Sequence, residues 1–77
     1  MRLTLYGRAD CELCDEMLEV VERVAGARGL RVEKVDVDGD PRLAAEYGFD
    51  IPVLCIDGEK VFQHRVTEAA VRARLGV

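Results

Sequence analysis

Residues 5–14 read LYGRADCELC. An alternating apolar start breaks at Gly7, and two cysteines separated by two residues stand before the next apolar run. Residues 2–6 (RLTLY) read as a short strand, with Leu3 and Leu5 on one face and Thr4 and Tyr6 on the other. Residues 7–10 form a loop. From Cys11 to about Ala25 the spacing turns helical: Leu13, Met17, Val20 and Val24 make a buried stripe, widened by Leu18, Val21 and Ala25. Gly26 and Gly29 end this helix. A C-x-x-C pair between a strand and a helix is a redox arrangement rather than a loop pair. At a helix start, unpaired amides and the dipole favour a thiolate, and the thiolate is the nucleophile of disulfide exchange. Cys14 falls almost one turn on, its sulfur near that of Cys11 but further inward. Cys11 is therefore the attacking thiol and Cys14 the resolving one.

Working outward, residues 30–37 read as a second strand. Val35 and Val37 alternate, whereas Val32 has the other parity and calls for a bulge or a late start. Asp40 is an N-cap with Pro41 at the first position of a short helix that Gly48 closes. Residues 52–56 are an apolar third strand. Asp57-Gly58 is a two-residue hairpin signal, and residues 59–63 return as a fourth strand. Thr67 caps a last helix to Leu75, with Val66 and Val71 placed for a hydrophobic staple. The order is β-α-β-α-β-β-α: a right-handed parallel unit, then an antiparallel hairpin, then a helix that has to cover a sheet face.

The chain has 77 residues, enough for one domain over residues 1–77. Its net charge is -4 and no Lys or Arg block is present, which argues against nucleic acid and anionic membranes as partners. The longest apolar run, residues 51–56, is far too short to span a bilayer. The start, MRLTLYGRAD, lacks the pattern of a signal peptide, so a reducing cytoplasm is the expected compartment. Three cysteines is an odd number and does not suit a disulfide framework. A monomer is the default state.

LYGRADCELC, together with FDIPVLCIDGEKV at residues 49–61 and the element order, resembles glutaredoxin-like members of the thioredoxin fold over essentially the whole chain. The resemblance implies an α/β fold: a four-stranded mixed sheet with helices on both faces. In that family the proline matching Pro52 is cis, faces the two cysteines and helps hold the substrate backbone. Asp50-Ile51-Pro52 stands where the family has Thr-Val-Pro. Ile51 and Pro52 are therefore expected to contact substrate, with Arg8 beside the thiols and Arg65 after the hairpin, where the family places charged residues. The chain departs from the family at Glu12-Leu13, where Pro-Tyr is common, and at Phe62-Gln63, which hold the positions of a Gly-Gly pair. Those glycines let glutathione approach the backbone, and two side chains fill that space here. A dithiol reductant is accordingly expected in place of glutathione. No cofactor and no metal are expected. The substrate is a disulfide in a protein or small molecule.

Other readings of these residues are milder. Zinc in a structural site needs four ligands, and beyond the pair only Cys55 and His64 remain. Cys55, between Leu54 and Ile56, reads as a small core residue, and His64 as a solvated loop residue. Arg65 is open between substrate contact and plain surface, and Tyr6 between core and site border. Residues 36–40 (DVDGD) lack the spacing of a calcium loop. Asp10, Glu12, Asp15 and Glu16 suit a helix start, at ~0.3–1 kcal/mol each. They also oppose a further negative charge on Cys11, with Arg8 against them, and so hold the dithiol toward the reducing end. The function expected is a small thiol–disulfide oxidoreductase. The alternative is a non-catalytic module of the same fold that binds a metal or a dedicated protein partner through its thiols.

Overall fold

The structure, a computed structural model, describes residues 1–77. Strand β1 (Leu3–Gly7) is followed by helix α1 (Glu12–Ala27), strand β2 (Val32–Asp36) and a 3-10 turn at Val37–Gly39. Helix α2 (Pro41–Tyr47), strands β3 (Val53–Ile56) and β4 (Glu59–Gln63), and helix α3 (Glu68–Leu75) complete the chain. The sheet order is β2-β1-β3-β4, with β1 parallel to β2 and antiparallel to β3, and β3 antiparallel to β4. This is the mixed four-stranded sheet of a thioredoxin-like α/β fold.

The helices divide between the two faces. Leu3 and Leu5 of β1 and Leu54 and Ile56 of β3 point one way. They form one buried cluster with Met17, Val21, Val24 and Ala25 of α1 and Val71 and Leu75 of α3. Thr4 and Tyr6 point the other way, where Tyr6 stacks on Tyr47 at the end of α2, ring centroids 4.2 Å apart. The strand alternation read from RLTLY thus separates the faces.

Several boundaries move. Helix α1 passes through Gly26 and ends two residues later than the glycines suggest. Gly29, at φ 71, is its left-handed terminator, with Leu30 N donating to Ala25 O at 2.9 Å and Gly29 N to Gly26 O at 3.0 Å. That paired closure is what ends a helix; a glycine without it costs only about 1 kcal/mol against alanine. Strand β2 begins at Val32 and carries no bulge. Val32 pairs with Leu3 and Val35 with Tyr6, so the two valines serve opposite faces, both of them covered. The bulge lies in β4 instead, where Leu54 opposes Phe62 but Cys55 opposes Lys60, leaving Val61 as the extra residue. The caps at Asp40 and Thr67 form as expected, accepting from Arg42 N at 2.9 Å and Ala70 N at 3.1 Å. Asp57 and Gly58 both take positive φ, 52 and 84, as a tight hairpin turn of the I′ kind requires.

Leu54 is fully buried at the centre of the cluster. Leu54→Ala should lower unfolding free energy by about 2–5 kcal/mol in urea titrations. Arg23→Ala should do much less, although Arg23 bridges α1 to Glu68 of α3 at 2.7 Å, because both partners are solvated.

Candidate active site

Cys11 is the N-cap of α1 rather than its first helical residue. The left-handed backbone of Asp10, φ 55, turns the chain into it. Capping positions favour a side chain that accepts from the free amides, and here sulfur does so: the Cys14 amide donates to Cys11 Sγ at 3.1 Å. A disulfide joins Cys11 to Cys14, their Cα atoms 5.2 Å apart. Cys11 is half-exposed, whereas Cys14 has no exposed surface. The two sulfurs therefore differ in both access and environment.

Cys14 is an inward position of the helix. The buried line of α1 runs Cys14, Met17, Val21 and Val24, with Ala25 beside it. Leu13 and Val20 are only half-buried and flank it. The stripe read from Leu13, Met17, Val20 and Val24 is rotated from the true one because the thiol itself is one of the apolar groups. Gly7 makes the room. It is the last residue of β1 rather than loop, and a Cβ there would lie 3.0 Å from Cys14 Sγ and 3.1 Å from Cys14 Cβ. Nothing in the sequence pattern singled Gly7 out; its place at the end of a strand entering a C-x-x-C loop was the available signal. Past the Tyr6–Val53 pair the register leads to Gly7 on one strand and Pro52 on the other. Pro52 is buried and Ile51 half-buried, and the bond between them is cis. The Pro52 carbonyl accepts from the His64 amide at 2.8 Å, which ties this loop to the end of β4.

The charges are arranged differently from the sequence expectation. Arg8 does not stand free beside the thiols: its Nε and Nη2 fork onto Asp38 of the 3-10 turn at 3.2 and 3.3 Å. In the sequence Asp38 figures only in DVDGD, residues 36–40, with no partner indicated. Asp10, Glu12, Asp15 and Glu16 are all exposed, and among them only Asp15 has a cation partner, Lys34 at 3.9 Å. Asp50, just before Ile51, lies between Lys60 at 3.9 Å and His64 at 3.7 Å. Arg65 is exposed, makes no ion pair and lines a groove that begins at Leu13. No three His, Cys, Asp or Glu side chains gather in a metal-holding group.

Cys55 stays apart from the pair. It is a free, buried thiol opposite Thr4 on the α2 face of the sheet. Burial pushes its thiol above the usual range, with the neighbouring Tyr47 pulling the other way. Burial, and then the Cys55 thiol beside it, push the Tyr47 hydroxyl up to about 12. Tyr6 is thus settled as an inner residue of this face, stacked on Tyr47.

The glutaredoxin-like domain family (DUF836) matches residues 2–76. An uncharacterized protein of Mycobacterium tuberculosis strain H37Rv is 31% identical, over 94% of this chain and 79% of its own. The crystal structure of protein XcR50 from X. campestris superposes with a TM-score of 0.81 at 32% identity, covering 96% of this chain and 95% of that one. The glutaredoxin-like protein NrdH-redoxin of Escherichia coli superposes at 0.64 with 25% identity, covering 95% and 93%. The chain belongs to the glutaredoxin-like domain family. No helix is long and apolar enough to cross a membrane.

Two outcomes follow from this geometry. Gly7→Ala should push against Cys14 and slow closure of the Cys11–Cys14 disulfide, at a stability cost of about 1–3 kcal/mol. Stopped-flow oxidation of the reduced protein, compared with its thermal unfolding, reads both. Separately, Cys55 should resist alkylation in the folded protein and react on unfolding, while mass spectrometry of the oxidised protein finds a single intrachain bridge from Cys11 to Cys14. A bridge to Cys55, or rapid native labelling of it, would contradict the burial described.

Proposed function

We propose that this member of the glutaredoxin-like family is a small thiol–disulfide oxidoreductase, acting as a monomer in the reducing cytoplasm and recharged by a protein dithiol rather than by glutathione. One observation carries the reading: a disulfide at the first turn of α1 whose outer sulfur caps the helix and whose inner sulfur is enclosed. The helix amide that donates to Cys11 Sγ would stabilise the same sulfur as a thiolate.

The exchange balances on two sulfurs. In the reduced protein the Cys11 thiolate attacks one sulfur of a substrate disulfide. The substrate bond breaks, and its other sulfur leaves as a thiolate that takes a proton. Cys14 then loses its proton and attacks Cys11 Sγ, releasing the second substrate thiol. Two electrons have passed from the dithiol to the substrate, and Cys11–Cys14 is oxidised. An external dithiol reverses these steps. Pro52 and Ile51 would hold the substrate backbone: beyond the last pair, Tyr6–Val53, one strand continues into Gly7, which lies against Cys14, and the other into Pro52. Arg8 would act through the loop it anchors on Asp38, and Arg65 would meet the substrate beyond β4.

Support for a dithiol donor comes from Phe62, whose ring packs against the core and walls the groove beside Leu13, where a tripeptide would need open backbone. It comes also from NrdH-redoxin, a glutaredoxin-like protein described as having a thioredoxin-like activity profile.

The decisive experiment uses two variants and two donors. Cys11→Ser should abolish turnover of hydroxyethyl disulfide. Cys14→Ser should still attack but accumulate as a mixed disulfide visible by mass. Thioredoxin with its reductase should recharge the oxidised protein far faster than millimolar glutathione. Activity retained in Cys11→Ser and lost in Cys14→Ser would reverse the roles, and efficient glutathione turnover would overturn the choice of donor.

A further inference from the structure

A groove of about 540 Å³ runs between α1 and the segment leading from β4 into α3. Its apolar walls are Leu13, Met17 and Val20 on one side and Phe62, Val66 and Ala70 on the other. Leu13 stands between the two cysteines in sequence, so the groove opens within one residue of the disulfide. Its size and lining suit apolar side chains oriented by a few polar groups. On another side of the site, next to Ile51 and Pro52, Phe49 is 95% exposed. Its turn is fixed: the Asp50 amide donates to Tyr47 O at 2.8 Å, and the Asp50 carboxylate faces Lys60 and His64. An aromatic ring left in water on an anchored turn, two residues before the cis Ile51-Pro52 bond, is the kind of anchor that protein interfaces use.

The charge around the thiol selects the occupant. Asp10, Glu12 and Glu16 are exposed and make no ion pair, whereas Arg8 and Lys34 are committed to Asp38 and Asp15. Arg65 is the one unpaired cation on the groove, where Glu16 is the one carboxylate, and Asp10 and Glu12 stand on either side of Cys11 in the chain. The field at Cys11 is therefore negative. It repels glutathione, whose carboxylates outnumber its ammonium, and attracts a basic chain.

We propose that this surface docks an extended segment of a partner protein, which sets a large apolar side chain into the Leu13–Val20–Phe62 groove and presents Lys or Arg next to its own cysteine. The inference rests on Cys11 as the attacking thiol and deepens that reading by naming the substrate class.

The test uses three short peptide disulfides: one with Leu and Lys flanking the cysteine, one with Ser for the Leu, and one with Glu for the Lys. The first should exceed each of the others in kcat/KM by about tenfold, the range expected from burying one apolar side chain or reversing one charge at close approach. Val20→Glu should bring the Leu-to-Ser ratio toward one, and Phe49→Ser, at a solvated position that folding does not use, should lower turnover of the first peptide. A separate arm needs no redox step. The Leu-Lys peptide with serine for its cysteine, titrated into labelled oxidised protein, should shift the amides of Leu13, Val20 and Ala70, and the Glu peptide should not. Equal kcat/KM for the three peptides, or equal shifts, would overturn the docking proposal. Groove shifts as expected, with no turnover of any disulfide, would support the docking surface and overturn the oxidoreductase reading alone.

Discussion

Cys14 packs against Gly7, and the rotation of α1 is set by that contact. A Cβ on Gly7 would lie 3.0 Å from the thiol, tighter than an ordinary contact, so hydrogen there lets the strand and the helix start meet without displacing the sulfur. With Cys14 turned inward, Met17, Val21 and Val24 follow it along the buried line at helical spacing. Leu13 and Val20 are left on the flank, where they wall the groove instead of filling the core. Cys11, one turn back and just outside the helix, is left half-exposed with an amide aimed at its sulfur. The unlike environments of the two thiols are thus a consequence of packing at one joint between β1 and α1.

Much of this was legible in the sequence, for identifiable reasons. The period-two pattern of Leu3 and Leu5 against Thr4 and Tyr6 is strict because β1 is an inner strand covered on both faces. Asp40-Pro41, Asp57-Gly58 and Thr67 are local signals whose hydrogen bonds or backbone angles need no distant partner, and each forms where it was read. What escaped depends on contacts between distant segments. The phase of the α1 stripe could not be set without knowing that Cys14 is a packing residue. Gly26 misled because helix ending needs a left-handed residue and two amide donors, which Gly29 and Leu30 supply. Arg8 looked free because its partner, Asp38, is thirty positions away. Tyr47 carried no signal, yet it covers both Tyr6 and Cys55.

The acids around the motif do two things at different ranges. Glu12 and Asp15 fall in the first turn of α1, where a carboxylate complements the helix dipole by ~0.3–1 kcal/mol when solvated. The same charges oppose a thiolate at the cap, and the Arg8 fork onto Asp38 takes away the cation that would have offset them. The hydrogen bond to Cys11 Sγ acts at 3.1 Å and is directional, whereas the exposed carboxylates act through solvent. The near contact therefore bears directly on the sulfur, and the exposed carboxylates bear on it only through solvent.

Burial alone does not distinguish the bridged buried thiol from the free one in this chain. Cys14 and Cys55 are both enclosed, and burial pushes the Cys55 thiol up. Cys55 has no second sulfur beside it: it lies across the strand pair from Thr4 under Tyr47, and its protonated form is the favoured one. Cys14 has Cys11 within bonding reach. In the proposed exchange it never has to persist as a free anion; it has only to lose a proton while attacking a sulfur already in place. A reaction partner held at the right distance removes the entropy of bringing two groups together, a large share of the barrier of any bimolecular step. The same enclosure that surrounds Cys55 leaves Cys14 a single partner within bonding reach, Cys11.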